Sequence, residues 1–322
     1  MSTQASPFGA RLRQWREHRG LSQLALAGQV GSTARHLSFL ETGRSRPSRQ
    51  MVLRLADCLG TGLREANELL HAAGLPAAYP HAELGGADLA PYRAAIETLL
   101  AAHEPYPGMV LNGHWTVVAA NRPCRTLFGP TVVGSNFVRD ALTDPGAAAT
   151  MVNWAEVAWA GLDRLRADQR RAPFDPELTE LVALAEAALA EVPRPEPTTP
   201  ALLVCPWFRV DGQIIRTVGM VARFDHPAEV TLDEVRVELM FPIDEVAERF
   251  FRTAGASGVG RRSPGPADQQ AAEQGDREPA GTDRIDADGA VRERGAGRGG
   301  TSSQRRSGVV DPDLTVRVQD PA

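Results

Sequence analysis

The sequence has no lysine, few cysteines and no long hydrophobic run, and these absences exclude several classes of protein. All 35 cationic side chains are arginines, which we attribute to genomic base composition. The three cysteines, Cys58, Cys124 and Cys205, have no second cysteine or histidine at metal-ligand spacing, so neither a disulfide framework nor a zinc site is expected. No apolar run approaches the ~20 residues that span a bilayer, and no secretory signal pattern begins the sequence. We therefore expect a cytoplasmic protein with reduced thiols, no metal and no cofactor.

Charge and composition change sharply along the chain. Residues 1–75 carry ten arginines against five acidic side chains, whereas residues 76–254 carry fifteen against twenty-four. Only the first segment therefore suits a polyanionic partner. From residue 255 onward Gly, Arg, Asp, Pro, Ser and Gln dominate, and aromatic residues are missing. Because such a segment buries too little apolar surface to offset its ordering entropy, we expect residues 255–322 to be disordered.

These changes divide the 322 residues into four predicted segments. We expect a basic first domain at 1–75, a linker rich in Ala, Gly and Pro at 76–91, an acidic second domain at 92–254 and the disordered tail at 255–322. The overall fold class that we predict is multidomain, with an all-α first domain and an α+β second domain.

The first domain contains five short helical periods. The first ends at Gly20, and the others are predicted at about 23–29, 33–40, 48–59 and 63–73. Ser22 and Ser32 have the oxygen side chains that cap the second and third helices, because a hydroxyl can accept from the free amides of a first turn. Gly31 supplies the tight turn between them. Five short helices with a turn of three to four residues between the second and third make up the helix-turn-helix plan.

The first domain resembles the lambda-repressor-like helix-turn-helix family, also called the xenobiotic-response-element family. The resemblance covers residues 9–74 and rests on Leu21-Ser22-Gln23, Ala27, Val30-Gly31-Ser32, Leu37, Leu40-Glu41-Thr42-Gly43-Arg44 and Pro47. It implies that the third helix enters the major groove of DNA with its N-terminal end toward the base edges. It also implies a structural ion pair between Arg16 and Glu41, which would tie the first helix to the third.

Positions on and beside the third helix predict the DNA contacts. Arg35 is expected to read a guanine, since one guanidinium can bond to O6 and N7 together. The remaining predicted contacts are Thr33 and Ala34 at a thymine methyl, His36 and Ser38 at a base edge or a phosphate, Gln23 at a phosphate, and Arg44, Arg46 and Arg49 along the neighbouring backbone. The alternative for each arginine is a solvated surface position without a role in binding.

The second domain is predicted to contain two strands, a run of helices, three antiparallel strands and a closing helix. The strands are expected at 109–112, 115–120, 201–210, 213–224 and 230–240, and the helices at 122–128, 135–142, 148–169, 175–191 and 244–252. Asp211-Gly212 is typical of a tight β-hairpin turn. This order is typical of small α+β sensor folds of the Per-Arnt-Sim (PAS) type.

The second domain also resembles the ligand-binding domain of MmyB-like transcription regulators. The resemblance spans about 105–252 and rests on Leu111-Asn112-Gly113-His114-Trp115, Asn121, Val152-Asn153-Trp154-Ala155-Glu156, Leu232-Asp233-Glu234-Val235-Arg236-Val237-Glu238 and Phe241-Pro242-Ile243-Asp244-Glu245. Ile243 departs from the pattern, since the family more often has alanine there. The family implies a small apolar, fatty-acid-like ligand.

Large apolar side chains of the second domain are the candidates for lining that ligand pocket. They are Trp115, Phe128, Trp154, Trp159, Trp207, Phe208 and Met240. Aromatic side chains line such pockets well, but they also fill ordinary protein cores. The sequence therefore allows each of these residues to line a pocket or to pack in the core.

The two resemblances together predict a transcription regulator that binds an imperfect palindrome of double-stranded DNA as a homodimer. Ligand binding in the second domain would then shift the spacing of the two DNA-binding domains. The alternative is a second domain without a ligand, which dimerises the protein or contacts a partner such as RNA polymerase. No nucleophile-elbow, phosphate-loop, dinucleotide or zinc-protease pattern occurs, so we do not expect an enzyme.

Overall fold

A computed structural model describes residues 6–196 and 205–257 of the chain. Part of one predicted strand, 201–204, lies outside these residues. The predicted disordered tail also lies outside them, except for residues 255–257, which end the last helix.

Five short helices form the head, by which we mean residues 6–75. They are α1 (Pro7–His18), α2 (Gln23–Gln29), α3 (Ala34–Glu41), α4 (Arg49–Cys58) and α5 (Leu63–Ala72). Each of the first four begins after a serine or threonine whose hydroxyl accepts from a backbone amide of the first turn. The five-helix plan of the head is therefore confirmed, and α2 has the predicted bounds.

The cap of α3 differs from the prediction by one residue. Thr33, rather than Ser32, is the N-cap, and its hydroxyl accepts from the His36 amide at 3.2 Å. The Ser32 hydroxyl instead lies 2.9 Å from Nδ1 of the His36 ring. Both side chains therefore fix the first turn of α3, one through the backbone and one through His36.

Apolar side chains from all five helices meet in one buried cluster, which includes Phe8, Leu12, Trp15, Leu26, Leu37, Leu40, Leu55 and Leu69. Helix α1 lies unusually close to the end of α3. A Cβ atom at Gly9 would overlap the Glu41 carbonyl oxygen, so only glycine permits this approach. The close contact brings the side chains of α1 over the buried carboxylate of Glu41.

The connection between the head and the second region, residues 76–89, contains no helix or strand but is held by side chains at both ends. Asn67 of α5 is buried, and its Nδ2 donates to the Tyr79 carbonyl at 2.8 Å. Farther along, the Ala82 amide donates to Glu229 Oε1 at 2.8 Å. The segment that the composition predicts as a linker is therefore bonded to both regions that it joins.

The body, by which we mean residues 90–196 and 205–257, is an α+β region. Its elements are α6 (Ala90–Ala102), β1 (Gly108–Leu111), β2 (Val117–Ala120), α7 (Arg122–Phe128), α8 (Phe137–Thr143), α9 (Pro145–Thr150), α10 (Trp154–Arg171), α11 (Pro176–Leu189), β3 (Trp207–Val210), β4 (Gln213–Ala222), α12 (Val230–Glu234), β5 (Arg236–Pro242) and α13 (Glu245–Ser257). Helix α6 is absent from the predicted elements, and the helix predicted at 148–169 is two helices.

The five strands form one antiparallel sheet in the order β2-β1-β5-β4-β3. Asp211 and Gly212 both have positive φ, 47° and 76°, as a two-residue hairpin turn requires, so the hairpin between β3 and β4 is confirmed. Side chains alternate between two helical layers. Met109 joins a large cluster with α10 and α11, whereas Val110 faces Ile96 of α6. The α+β class predicted for this region is confirmed.

Four predicted strands are shorter than expected among the described residues: β3 begins at Trp207, β4 ends at Ala222, and β2 and β5 begin late because of local hydrogen bonds. Residues 230–234 form α12, because the Glu229 carboxylate accepts from the Leu232 amide at 2.8 Å and caps a helical turn. Strand β2 begins at Val117 rather than at Trp115, which has φ 65°. Asn112 causes this turn, since its Oδ1 accepts from the Thr116 amide at 2.9 Å and stabilises a bend before the strand.

Candidate nucleic-acid interface and ligand pocket

Helix α3 separates a buried side from an exposed side. Leu37 and Leu40 are each 1 % exposed and anchor the helix to the head core. The residues predicted to face DNA lie on its outer side: Thr33 and Arg35 are exposed, and Ala34, His36 and Ser38 are half-buried. The structure therefore brings these five predicted contacts together on one surface.

Three predicted DNA-contacting arginines keep their guanidinium groups available. Arg35, Arg44 and Arg46 are exposed, and none of them forms an ion pair with a described residue. The guanidinium carbons of Arg35 and Arg44 lie 5.3 and 5.9 Å from the ring centroid of Phe39. Arg49 differs, because it donates to the Pro76 and Ala77 carbonyls at 2.8 and 3.2 Å.

A buried carboxylate, Glu41, joins the first three helices of the head. Its side chain is inaccessible to solvent, and Arg16 Nε donates to Oε1 at 2.6 Å. Gln23 Nε2 donates to Oε2 at 2.9 Å, so the amide predicted to contact a phosphate is bonded within the head. Arg13 Nε also reaches Oε2 at 3.3 Å. Sequence reasoning identified only Arg16 as the partner, although Arg13 lies one turn earlier on the same face of α1.

The hydrogen bonds to Glu41 determine its charge state. Burial alone would raise the pKa of this carboxyl, but hydrogen bonds from Arg16 and Gln23 and the positive charge of Arg16 outweigh burial. The pKa of Glu41 is therefore lowered, and the side chain is a carboxylate that accepts hydrogen bonds from three side chains.

Six of the seven predicted pocket residues lie together in the body. Trp115, Phe208 and Met240 belong to the main apolar cluster, and Phe128, Trp154 and Trp159 pack against it. Trp207 lies outside the cluster, half-buried, with the Arg216 guanidinium 5.4 Å from its ring. The rings of Phe128 and Phe208 are in edge-to-face contact, with their centroids 5.6 Å apart. A ligand that binds among these side chains must therefore displace rings that are in contact.

Two cavities border the body, and one of them reaches the head. An apolar groove of about 120 Å³ is lined by Ile96, Phe224 and Val235, between α6 and the sheet. A polar cavity of about 70 Å³ is lined partly by Glu65 of the head and Arg236 of the body. Burial raises the pKa of Glu65 to about 7. Neither cavity includes a side chain of the predicted pocket.

The indole N–H groups of the apolar cluster are not equally satisfied. Trp115 Nε1 donates to Asp168 Oδ2 at 3.0 Å, and Trp154 Nε1 donates to the Ala141 carbonyl at 2.8 Å. Trp159 Nε1 is buried and has no acceptor among the described residues. A buried donor without a partner costs folding free energy, and among these three indoles only Trp159 carries that cost within the described residues.

One loop of the body packs directly on the head. The head and the body belong to one compact unit of the chain. Phe174, between α10 and α11, packs edge to face against Trp15, and their ring centroids are 5.3 Å apart. The guanidinium carbon of Arg11 lies 5.0 Å from the Phe174 ring centroid. A second contact joins Arg64 to Glu234, with two hydrogen bonds of 2.7 and 2.8 Å. Sequence reasoning missed both contacts, since neither follows from a local pattern.

The Phe174 loop is also connected to the turn that carries Trp115. Asp175 caps α11 and accepts from the Leu178 amide at 3.0 Å, and His114 Nε2 lies 2.8 Å from its Oδ2. Burial would raise the pKa of Asp175, but the contact with His114 and the backbone amide lower it overall. A side chain adjacent to the apolar cluster therefore contacts the loop that touches the head.

Comparisons with known families agree with these two regions. A helix-turn-helix domain matches residues 7–69, and an MmyB-like transcription regulator ligand binding domain matches residues 92–254. Among curated proteins, no relative matches the chain. Across the described ranges, no helix is long and apolar enough to cross a membrane. The same ranges contain no group of three or more His, Cys, Asp or Glu side chains suited to a metal ion.

Proposed function

Because the chain belongs to the family of the MmyB-like transcription regulator ligand-binding domain, joined to a helix-turn-helix domain, we propose that it reads operator DNA through α3 and responds to a small apolar ligand in the body. The observation that carries the proposal is the exposed side of α3, where Arg35 projects while Leu37 and Leu40 are buried beneath it. Both matched families are regulatory, which supports binding rather than catalysis.

The proposed docking places the N-terminal half of α3 in the major groove. Arg35 then meets a guanine edge, and Arg44 and Arg46 lie beside the flanking phosphates. A homodimer would set two such helices in successive major grooves, about one helical turn apart, on an imperfect palindrome. The basic head favours this encounter, whereas the acidic body does not.

Arg35→Ala and Arg44→Ala are expected to weaken DNA binding in different ways. Arg35→Ala should relax discrimination at one base position by about 1–3 kcal/mol, because the bidentate contact is lost. Arg44→Ala should weaken all sequences alike and flatten the dependence of affinity on salt, because a phosphate contact is lost. The measurement selects duplexes from a random-sequence pool with the full chain, then compares affinities for single-base variants at several salt concentrations. Identical profiles for the two variants would contradict the proposed roles.

The ligand proposal rests on the six clustered apolar side chains and the unsatisfied Trp159 N–H. The cluster suits an acyl chain, and an oxygen atom of a head group would satisfy the indole donor. A long-chain carboxylic acid has both parts. Coupling to DNA would pass through the contacts of Phe174 and of Arg64 with the head.

Trp159→Phe tests the head-group contact, since it removes the donor and keeps an aromatic ring. Affinity for a bound fatty acid is expected to fall by about 1–2 kcal/mol. The melting temperature of the free protein should fall only by what the smaller ring loses in packing, because the lost N–H bonds nothing among the described residues. Thermal shifts of the full chain with saturated fatty acids of ten to eighteen carbons, roughly the span of common lipids, measure both quantities. An unchanged affinity contradicts the assignment.

The same lipid panel separates the ligand proposal from its alternative. If no fatty acid raises the melting temperature while native mass spectrometry finds a stable dimer, the body is a dimerisation or protein-interaction module. RNA polymerase is then the partner to test. Either outcome leaves the DNA-binding role of the head intact.

A further inference from the structure

Phe39 is an aromatic side chain on the proposed DNA-binding side of α3 that the head core does not use. It follows Arg35 by four residues, so both lie on the same face of the helix. Phe39 is half-buried and does not belong to the apolar cluster that Leu37 and Leu40 join. Its ring therefore needs an explanation other than core packing.

Two arginine side chains supply that explanation. The guanidinium carbon of Arg35 lies 5.3 Å from the Phe39 ring centroid, and that of Arg44 lies 5.9 Å from it. Both distances fall within the ~6 Å range over which a cation is attracted to an aromatic face. Arg35 comes from α3 and Arg44 from the loop that follows, so one ring joins two separate parts of the surface.

We propose that Phe39 is a positioning residue that holds Arg35 and Arg44 in the orientations in which they meet DNA. This inference rests on the proposed function, because it assumes that both arginines contact operator DNA. In this role, Phe39 orients both the arginine proposed to contact a base and the arginine proposed to contact the phosphate backbone.

The chemistry of the guanidinium group makes such a role effective. A guanidinium that lies over an aromatic ring is held by its face, and its N–H donors at the edge stay free for base or phosphate oxygens. An ion pair with a carboxylate would instead occupy those donors. Arginine also loses much rotamer freedom on binding, so a ring that restricts it beforehand strengthens the complex.

A simpler role for Phe39 is direct apolar contact with a thymine methyl group. Leucine preserves such a contact but has no π face, whereas tryptophan has the most strongly attracting face. The variants Phe39→Leu and Phe39→Trp therefore separate positioning from apolar contact.

The experiment measures affinity of the full chain for a duplex selected from a random-sequence pool by the wild type. Phe39→Leu is expected to bind this duplex about 5- to 20-fold more weakly, because two arginines that the ring no longer restricts lose rotamer freedom on binding. It should also discriminate less at the guanine assigned to Arg35, whereas Phe39→Trp retains both properties. In an Arg44→Ala background the effect of Phe39→Leu should be smaller, since one of the two contacts is already missing.

A second measurement needs no DNA and does not depend on the variant's affinity. NMR relaxation of arginine Nε–Hε groups should show Arg35 and Arg44 as more ordered than Arg46, which is exposed and has no ring partner among the described residues. In Phe39→Leu this difference should disappear. Thermal denaturation establishes that the variant is folded.

Two results overturn the inference. One is a Phe39→Leu protein that binds within twofold of the wild type with unchanged base discrimination. The other is equal mobility of the three arginines in the wild type. Failure of the proposed function is a different result, in which the wild type retains no duplex from the pool even at low salt while Arg35 and Arg44 stay ordered.

Discussion

Replacing Glu41 with alanine is expected to lower the free energy of unfolding by about 3–5 kcal/mol, the cost of leaving a buried charge without its partner. Arg16 loses its 2.6 Å contact with Glu41, and Gln23 loses the acceptor of its amide. Helices α1, α2 and α3 then lose the side chain that joins them. Urea denaturation of the full chain, followed by tryptophan fluorescence, measures the change because Trp15 is buried in the head core.

Glu17→Ala provides the matched control. Glu17 also pairs with Arg16, at 3.4 Å, but its side chain is 60 % exposed, so the pair should contribute at most about 1 kcal/mol. If the two variants unfolded at the same urea concentration, the buried carboxylate would not hold the head together. DNA specificity of refolded Glu41→Ala should match the wild type, because Glu41 faces away from the solvent.

The lowered pKa of Glu41 gives the same residue a defined pH dependence. Such a carboxylate stabilises the fold above its unfolded pKa, about 4.3, and this contribution is lost as the pH falls through the lower folded value. The difference in unfolding free energy between the wild type and Glu41→Gln should therefore shrink below about pH 4. Glu65, whose raised pKa affects stability at higher pH, is present in both proteins. Its contribution therefore cancels when the two unfolding free energies are subtracted.

Local signals made the head predictable. Ser22 caps α2 and Gly31 supplies the turn after it, so the bounds of α2 follow from neighbouring residues. The same signals failed at Ser32 and Thr33, because both are capping residue types and both contact His36 in the structure. A sequence does not show which of two adjacent capping residue types accepts from the backbone amide.

Long-range contacts explain the errors in the body. The β-branched pair Val230-Thr231 favours a strand, yet Glu229 caps a helix there and is itself fixed by the Ala82 amide from the connection. That amide lies far away in the sequence, so no local pattern contains it. The Trp115 turn is different, since Asn112-Gly113 is a turn signal that could have shortened the predicted strand.

In the candidate site, too, features set by local sequence were predictable and features set by long-range contacts were not. The exposed side of α3 was predictable, because the periodicity of Leu37 and Leu40 defines which side of the helix is buried. The contact of Phe174 with Trp15 was not predictable, because it joins a loop of the body to α1 of the head. A contact between two regions with separate sequence patterns cannot be predicted from either pattern alone.

Replacing Phe174 with alanine is expected to uncouple the head from the body. The ring contacts Trp15 and the Arg11 guanidinium, and its half-buried position suggests a loss of about 2–3 kcal/mol, below the cost for a fully buried phenylalanine. Hydrogen exchange of α1 should accelerate because its outer side loses its cover. A fatty acid that changes operator affinity of the wild type should no longer do so in Phe174→Ala, although the acid still binds the body.

Phe224→Ala is the matched control, since Phe224 also forms an edge-to-face pair, at 5.7 Å from Tyr92, but within the body. It should leave exchange in α1 and the ligand response unchanged. If Phe174→Ala kept the full response while Arg64→Gln abolished it, the pair of Arg64 with Glu234 would carry the coupling instead. The two variants together separate these two contacts, because Phe174 holds α1 whereas Arg64 lies on α5.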